Sequence, residues 1–138
     1  MFINRVYEDI QNADYIRNSL YSYNKNKVNA SFEEISLLLK DRDNQVTGGL
    51  LSHRFGNSIF IEILWVSEQL RGCGYGSKLL KELELIAAKS SVRIIHLDTF
   101  DFQASDFYIK HGYEIVGTVK DTPLEGNTKY YFKKTLSE

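Results

Sequence analysis

Three alternate glycines, Gly72, Gly74 and Gly76, stand between an apolar run, Ile59 to Val66 (IFIEILWV), and an amphipathic one that ends at Lys89 (SKLLKELELIAAK). A chain patterned this way turns from a buried strand into a helix at the glycines. The start of such a helix presents N–H groups with no intrahelical partner and a partial positive charge, which suits an anion such as phosphate. Glycine lets the backbone approach that anion because no Cβ intervenes. The segment from Ile59 to Lys89 is therefore expected to hold the diphosphate of a cofactor, with the rest of the chain framing it.

The flanking sequence supplies the frame. Phe2 to Tyr7 alternates loosely and is read as a first, edge strand. Asp9 to Tyr23 spaces Ile10, Ala13, Ile16 and Leu20 for a helix with one buried stripe. Asn24 to Ser31 (NKNKVNAS) reads as a polar loop able to fold over a cleft. Glu34 to Lys40 and Gln45 to His53 form a hairpin turning at Asp43-Asn44, and a second turn at Phe55-Gly56-Asn57 leads into Ile59 to Val66. These make three antiparallel strands in a row. Tyr75 to Lys89 is a helix with Leu79, Leu80, Leu83, Ile86 and Ala87 on one face, followed by a strand over Arg93 to Phe100. A strand, helix and strand in that order form a right-handed crossover with parallel strands. A short helix from Ala104 to His111, stopped by Gly112, precedes two closing strands, Tyr113 to Lys120 and Thr128 to Thr135. The pattern is a mixed α/β fold of the α+β type, with a mostly antiparallel sheet and one parallel crossover, in a single domain over residues 1–138.

Composition removes several classes. With a net charge of −1 the chain has no global basic field, so nucleic acid is not expected as a partner. One cysteine excludes an internal disulfide and a cysteine zinc site, and the three histidines share no metal-ligand spacing. No apolar run approaches the roughly 18 residues that a membrane span needs, and MFINRVYEDIQ lacks the apolar core of a signal peptide. A soluble, cytoplasmic protein without a metal is the expectation.

The spacing of the glycine loop narrows its ligand. It is G-x-G-x-G, not the dinucleotide G-x-G-x-x-G, and no acidic residue follows at the distance that fingerprint needs. Nor does a P-loop Lys followed by Ser or Thr come after the last glycine. What remains is R-x-x-G-x-G, written by Arg71, Gly74 and Gly76. Together with a later series, Ala104, Phe107, Tyr108, Gly112 and Tyr113, this resembles the GNAT superfamily of N-acetyltransferases over about Ile59 to Tyr113. The resemblance implies the GNAT-like acyl-CoA N-acyltransferase fold, with a central sheet of roughly six to seven strands flanked by helices. It implies acetyl-CoA as co-substrate and transfer of its acetyl group to a primary amine by direct attack.

On that resemblance, the backbone amides of Arg71, Gly72, Cys73, Gly74, Tyr75, Gly76 and Ser77 would cradle the diphosphate, with Arg71 adding charge. Leu64, Trp65 and Val66 would offer main-chain groups to the pantetheine arm, and one of their N–H groups would polarise the thioester carbonyl. Tyr108 is the candidate general acid. The leaving thiolate has a pKa of about 8.5 against about 10 for tyrosine, so donation runs uphill by about 2 kcal/mol. Glu62 is the candidate base, directly or through a water. A carboxylate inside an otherwise apolar strand is costly to bury unpaired, which fits it to take up a proton. Its other reading is a solvated residue on the open side of the sheet, and Asp98 is the rival carboxylate.

One departure stands out. Where the family often has an asparagine that bonds the pantetheine arm, this chain has Asp101, with Gln103 nearby. An ionised carboxylate cannot donate a hydrogen bond, so Asp101 either touches the cofactor in another way or caps the short helix. Cys73 is read as filling a loop position, because no histidine adjoins it. Most of the aromatic side chains, Tyr21, Tyr23 and Phe32 among them, are expected in the core. The acceptor stays open between small-molecule and peptide amines, and a homodimer is open on the family's precedent. The alternative class is a non-catalytic acetyl-CoA or CoA sensor of the same fold; the presence of Tyr108 argues for turnover.

Overall fold

The computed structural model describes residues 1–137 and divides into two compact units, residues 1–32 and the remainder from Glu33 onward.

In the first unit, α1 spans Ile10–Val28. Asp9 caps its start, accepting from the Asn12 backbone N–H at 3.1 Å and from the Asn12 side-chain amide at 2.7 Å. These two bonds favour the ionised carboxylate and lower the Asp9 pKa, side-chain bond first. The helix runs past the expected loop at Asn24 and stops where Asn29 takes a left-handed φ of 49° and its N–H returns to Lys25 O. Lys25 and Lys27 in the last turn complement the negative helix end, so a polar stretch read as loop continues as helix. Two further expectations are corrected here. Phe2 to Tyr7 pairs with no strand, and α1 buries none of its residues, so Ile10, Ile16 and Leu20 face outward. Tyr21 and Tyr23 are exposed as well, and the Tyr21 ring stacks on Phe32 at 4.7 Å instead of entering a core.

The second unit is built on a six-stranded sheet ordered β1-β2-β3-β4-β6-β5. Its strands are β1 Phe32–Lys40, β2 Val46–Phe55, β3 Ser58–Val66, β4 Ile94–Phe100, β5 Glu114–Lys120 and β6 Thr128–Thr135. The β1–β2 turn falls at the expected place because Asp41 Oδ1 accepts from the N–H groups of Asp43 and Gln45 while Asn44 adopts a left-handed φ of 63°. Between β3 and β4 the chain passes through a 3₁₀ turn, Glu68–Leu70, and α2, Tyr75–Lys89. A short α3, Ser105–Lys110, joins β4 to β5.

The buried face of α2 carries Leu79, Leu80, Leu83 and Ala87. It packs with Leu50, Ile59, Ile61, Ile95, Leu97 and Phe132 in one core. Truncating a leucine such as Leu80 or Leu83 to alanine would cost about 2–5 kcal/mol. This packing holds α2 against β2 and β3, and β3 pairs with β4 in parallel as the crossover requires.

Two irregularities in the sheet position everything that follows. First, β2 pairs Leu51 with Ile63 but Ser52 with Ile61, so Glu62 is an extra residue, a β-bulge, in β3. The bulge resets the alternation: Ile59 and Ile61 are buried before it, Glu62 and Ile63 are both exposed, and Leu64 and Val66 turn partly inward after it. Second, the β3–β4 ladder runs from Ser58↔Ile94 to Ile61↔Leu97 and stops, although both strands continue. Beyond Ile61 the two parallel strands therefore separate, leaving one edge of β3 without a partner strand.

Candidate active site

The opening between β3 and β4 leads into a cleft of about 560 Å³, within the size range of small-molecule sites. One wall is the end of β3 with the glycine loop and the start of α2; the other is the segment from Asp101 to Lys110 that carries α3.

The glycine loop is shaped by its backbone. Gly72 and Gly74 have φ of 77° and 87°, where an L side chain is strained, and a Cβ on either would meet nothing within 4 Å. Conformation, not space, demands glycine there. Gly74 is the N-cap of α2, and the first helical bond runs from Lys78 N to Gly74 O. The amides of Tyr75, Gly76 and Ser77 precede that first rung and line the cleft, a ready anion cradle. Arg71 folds back so that its Nε donates to Val66 O at 3.0 Å, tying the loop to the end of β3, and the residue lines the cleft. Cys73 is exposed and does not line the cleft; its Sγ lies 3.8 Å from Arg71 O.

The free edge of β3 has a definite polarity. The Ser67 N–H donates back to Thr47 O, whereas Val66 O faces Arg71. Because peptide groups of successive strand residues face opposite edges, Trp65 turns its N–H and C=O toward β2, and Leu64 and Val66 turn theirs toward the opening. Leu64 and Val66 line the cleft and Trp65 does not; its side chain is half exposed.

Tyr108 rises from α3 at the inner end of the cleft. Its ring is 5% exposed and packs edge-on to Phe107 and Tyr113 and against Phe132. Burial pushes its pKa from 10 up to about 12. Tyr108 lines both the cleft and a second chamber of about 150 Å³ beside the opening between β3 and β4. That chamber is lined by Glu62 and Asp98 and shares Leu64, Gln103, Ala104 and Tyr108 with the cleft. Tyr108 thus stands where the two meet, with the glycine loop on one side and two carboxylates on the other.

The bulge overturns the expected burial of Glu62. Half of its side-chain surface is exposed, and Oε1 lies 2.7 Å from His53 Nδ1 on β2. Asp98 has a cation instead: Lys129 Nζ sits 3.6 Å from its Oδ1. The two carboxylates therefore differ in partner, an imidazole for one and an ammonium for the other.

Asp101 lines the cleft, but both its oxygens are engaged. Oδ2 accepts from Thr128 N at 3.1 Å and Oδ1 from the Asn127 amide at 3.3 Å. The helix-capping reading is corrected, since α3 has no side-chain cap and Asp101 instead braces the start of β6. His111 closes the other end of α3, its Nδ1 at 3.0 Å from Phe107 O. Tyr113, the last residue of the later series, donates to Glu84 Oε2 at 2.9 Å, and Lys134 Nζ reaches the same oxygen at 3.1 Å. Burial first, and the Glu84 charge second, push the Tyr113 pKa far up. This trio knits α2 to β6 and serves the scaffold. Among the described residues, no group of three or more His, Cys, Asp or Glu could hold a metal ion, and no helix is long and apolar enough to cross a membrane.

The site thus joins a glycine cradle before a helix, a parted pair of parallel strands and a tyrosine at the parting. Residues 33–115 match the family model described as the acetyltransferase (GNAT) domain, and the chain belongs to that family. An acetyltransferase of Agrobacterium fabrum is 30% identical over 121 residues, covering 85% of this chain and 88% of the relative. The blasticidin-S acetyltransferase of Streptomyces morookaense is 33% identical over 93 residues, 67% of this chain and 68% of that protein. The crystal structure of an acetyltransferase from Bacillus cereus superposes with a TM-score of 0.82 at 37% identity, covering 99% of this chain and 98% of that one. The protein is a GNAT acetyltransferase, with the mixed α/β fold expected of that family.

Proposed function

We propose that this enzyme transfers the acetyl group of acetyl-CoA to a primary amine of a small molecule by direct attack within a ternary complex. The observation that carries the reading is the junction at Tyr108, where the anion-cradling cleft meets the carboxylate-lined chamber through the parted strands. The donor fits the cleft, and the acceptor would reach the thioester from the opposite side. The name of the blasticidin-S relative points to a small-molecule acceptor.

Each group then has a task. The amides at the start of α2, with Arg71, bind the diphosphate. The unpaired edge of β3 at Leu64 and Val66 bonds the pantetheine arm, and one of these N–H groups meets the thioester oxygen as negative charge builds there. Such a donor contributes about 3 kcal/mol to a transition state. An amine acceptor arrives mostly as ammonium near neutral pH and must shed a proton; Glu62, held by His53, takes it up through a water.

For Tyr108 the burial changes the accounting. With a pKa of about 12, complete transfer of its proton to the departing thiolate would run uphill by roughly 5 kcal/mol. Its contribution is accordingly a hydrogen bond from the phenol to the sulfur, and the thiolate leaves as such or takes its proton from solvent.

The test is release of free thiol from acetyl-CoA across a panel of primary amines, with mass analysis of the products. Amine-dependent thiol release and a product heavier by one acetyl group are expected. Tight CoA binding with no turnover on any amine would overturn the catalytic reading in favour of a sensor.

A further inference from the structure

We propose that Gln103 is the side-chain donor that anchors the pantetheine arm, a task Asp101 cannot perform here; the inference rests on acetyl-CoA being the donor. Asp101 spends one oxygen on Thr128 N and the other on the Asn127 amide, and its own N–H goes to Thr128 O at 2.9 Å. It is a brace between the end of β4 and the start of β6, with no donor to offer a ligand.

Gln103 is arranged in the opposite sense. Its Oε1 accepts from Phe100 N at 2.8 Å and from Thr99 Oγ1 at 3.1 Å, and its N–H closes the same turn on Phe100 O at 3.0 Å. A backbone N–H can only donate, so the amide oxygen, not the nitrogen, must face Phe100. That fixes the orientation of the whole carboxamide, and Nε2 points away from the turn. Nε2 makes no hydrogen bond to another described residue, and Gln103 is one of the few residues that line both the cleft and the inner chamber. Two N–H donors, oriented by the oxygen beside them, thus belong to an exposed residue that lines the path from the cleft into the chamber. The pantetheine arm carries two secondary amides whose carbonyl oxygens are acceptors, and it is the part of the donor that must traverse this path. Preorganised donors of this kind add affinity because little side-chain freedom is lost on binding.

Gln103→Glu tests the assignment. Glutamate keeps an oxygen for Phe100 N and Thr99 Oγ1 and removes both donors, so the turn survives while the anchor is lost. Calorimetric titration compares CoA with ribose-phosphorylated ADP, the nucleotide half of CoA without its pantetheine. The expected result is a Kd for CoA raised about tenfold, the upper end for one hydrogen bond, with the nucleotide Kd within about twofold and the melting temperature little changed. Gln103→Ala, which adds no charge, is expected to show the same contrast between the two ligands. Equal losses for both ligands, or an unchanged Kd for CoA, would overturn the assignment while leaving the donor reading intact. If the unaltered protein binds neither ligand, the donor reading falls and this one falls with it.

Discussion

His53 Nδ1 lies 2.7 Å from Glu62 Oε1, across the neighbouring strands β2 and β3. The contact exists because the bulge at Glu62 delivers its carboxylate to the face that carries His53, at the mouth of the inner chamber. Replacing Glu62 by Gln keeps the shape and removes the proton acceptor. A fall in kcat of about a hundredfold near neutral pH is expected, with the KM for acetyl-CoA within about twofold. The loss should shrink as pH rises, since more of the amine is then already neutral. Steady-state thiol release as a function of pH measures this, and an unchanged kcat at pH 7 would remove Glu62 from the mechanism.

Tyr108→Phe leaves the ring packing against Phe107, Tyr113 and Phe132 in place and deletes only the hydroxyl. We expect kcat to drop about ten- to a hundredfold, the worth of a hydrogen bond to a developing charge, with CoA affinity preserved. Because the hydroxyl has a pKa of about 12, the wild-type kcat profile should show no decline due to Tyr108 between pH 7 and 10. A tyrosine-dependent alkaline limb near pH 9 would contradict the burial seen here.

The same tyrosine makes stability depend on alkali. Its pKa is about 12 folded and about 10 in an unfolded chain, so above pH 10 the native state holds the proton more tightly. The stability this adds to the titration balance is complete below pH 10 and is lost as pH rises from there through 12. Urea unfolding at pH 9 and pH 11 should show wild type losing about 1 kcal/mol more than Tyr108→Phe. Equal losses in the two proteins would count against the raised pKa.

Gly74→Ala isolates the backbone demand of the glycine loop. With φ at 87° and open space around the missing Cβ, the substitution should cost about 1–2 kcal/mol of stability and weaken CoA binding together. At Gly76 a Cβ would sit at ordinary contact distance, 3.5 Å from the Phe107 ring, so Gly76→Ala should melt at nearly the wild-type temperature. Thermal melts of the two variants, side by side, check the contrast; a Gly74→Ala protein as stable as wild type would refute it.

What could be read from the chain alone was local. The amphipathic period of α2, the hairpin turn at Asp43-Asn44, the glycines before the helix and the pairing of Arg71 with a later Tyr108 all depend on residues a few positions apart, or on a motif. Some local readings failed, the edge strand at Phe2 to Tyr7 among them. Asn24 to Val28 is polar yet helical because Asn29 and two lysines finish the helix well, and the apolar residues of α1 are not buried despite their spacing.

The chamber itself took form only in the tertiary structure. Whether Glu62 is buried depends on a one-residue slip against β2, which depends in turn on the pairing partners Leu51 and Ser52. Asp101 is disarmed by Thr128, 27 residues away, and Gln103 is armed by the turn at Phe100. The insertion of β6 between β4 and β5 has no signature in the pattern of either closing strand. Periodicity reports which residues prefer a buried face, because that preference belongs to each side chain. Register, parting of strands and the spending of a hydrogen-bond donor are properties of pairs, and they exist only once distant segments have met.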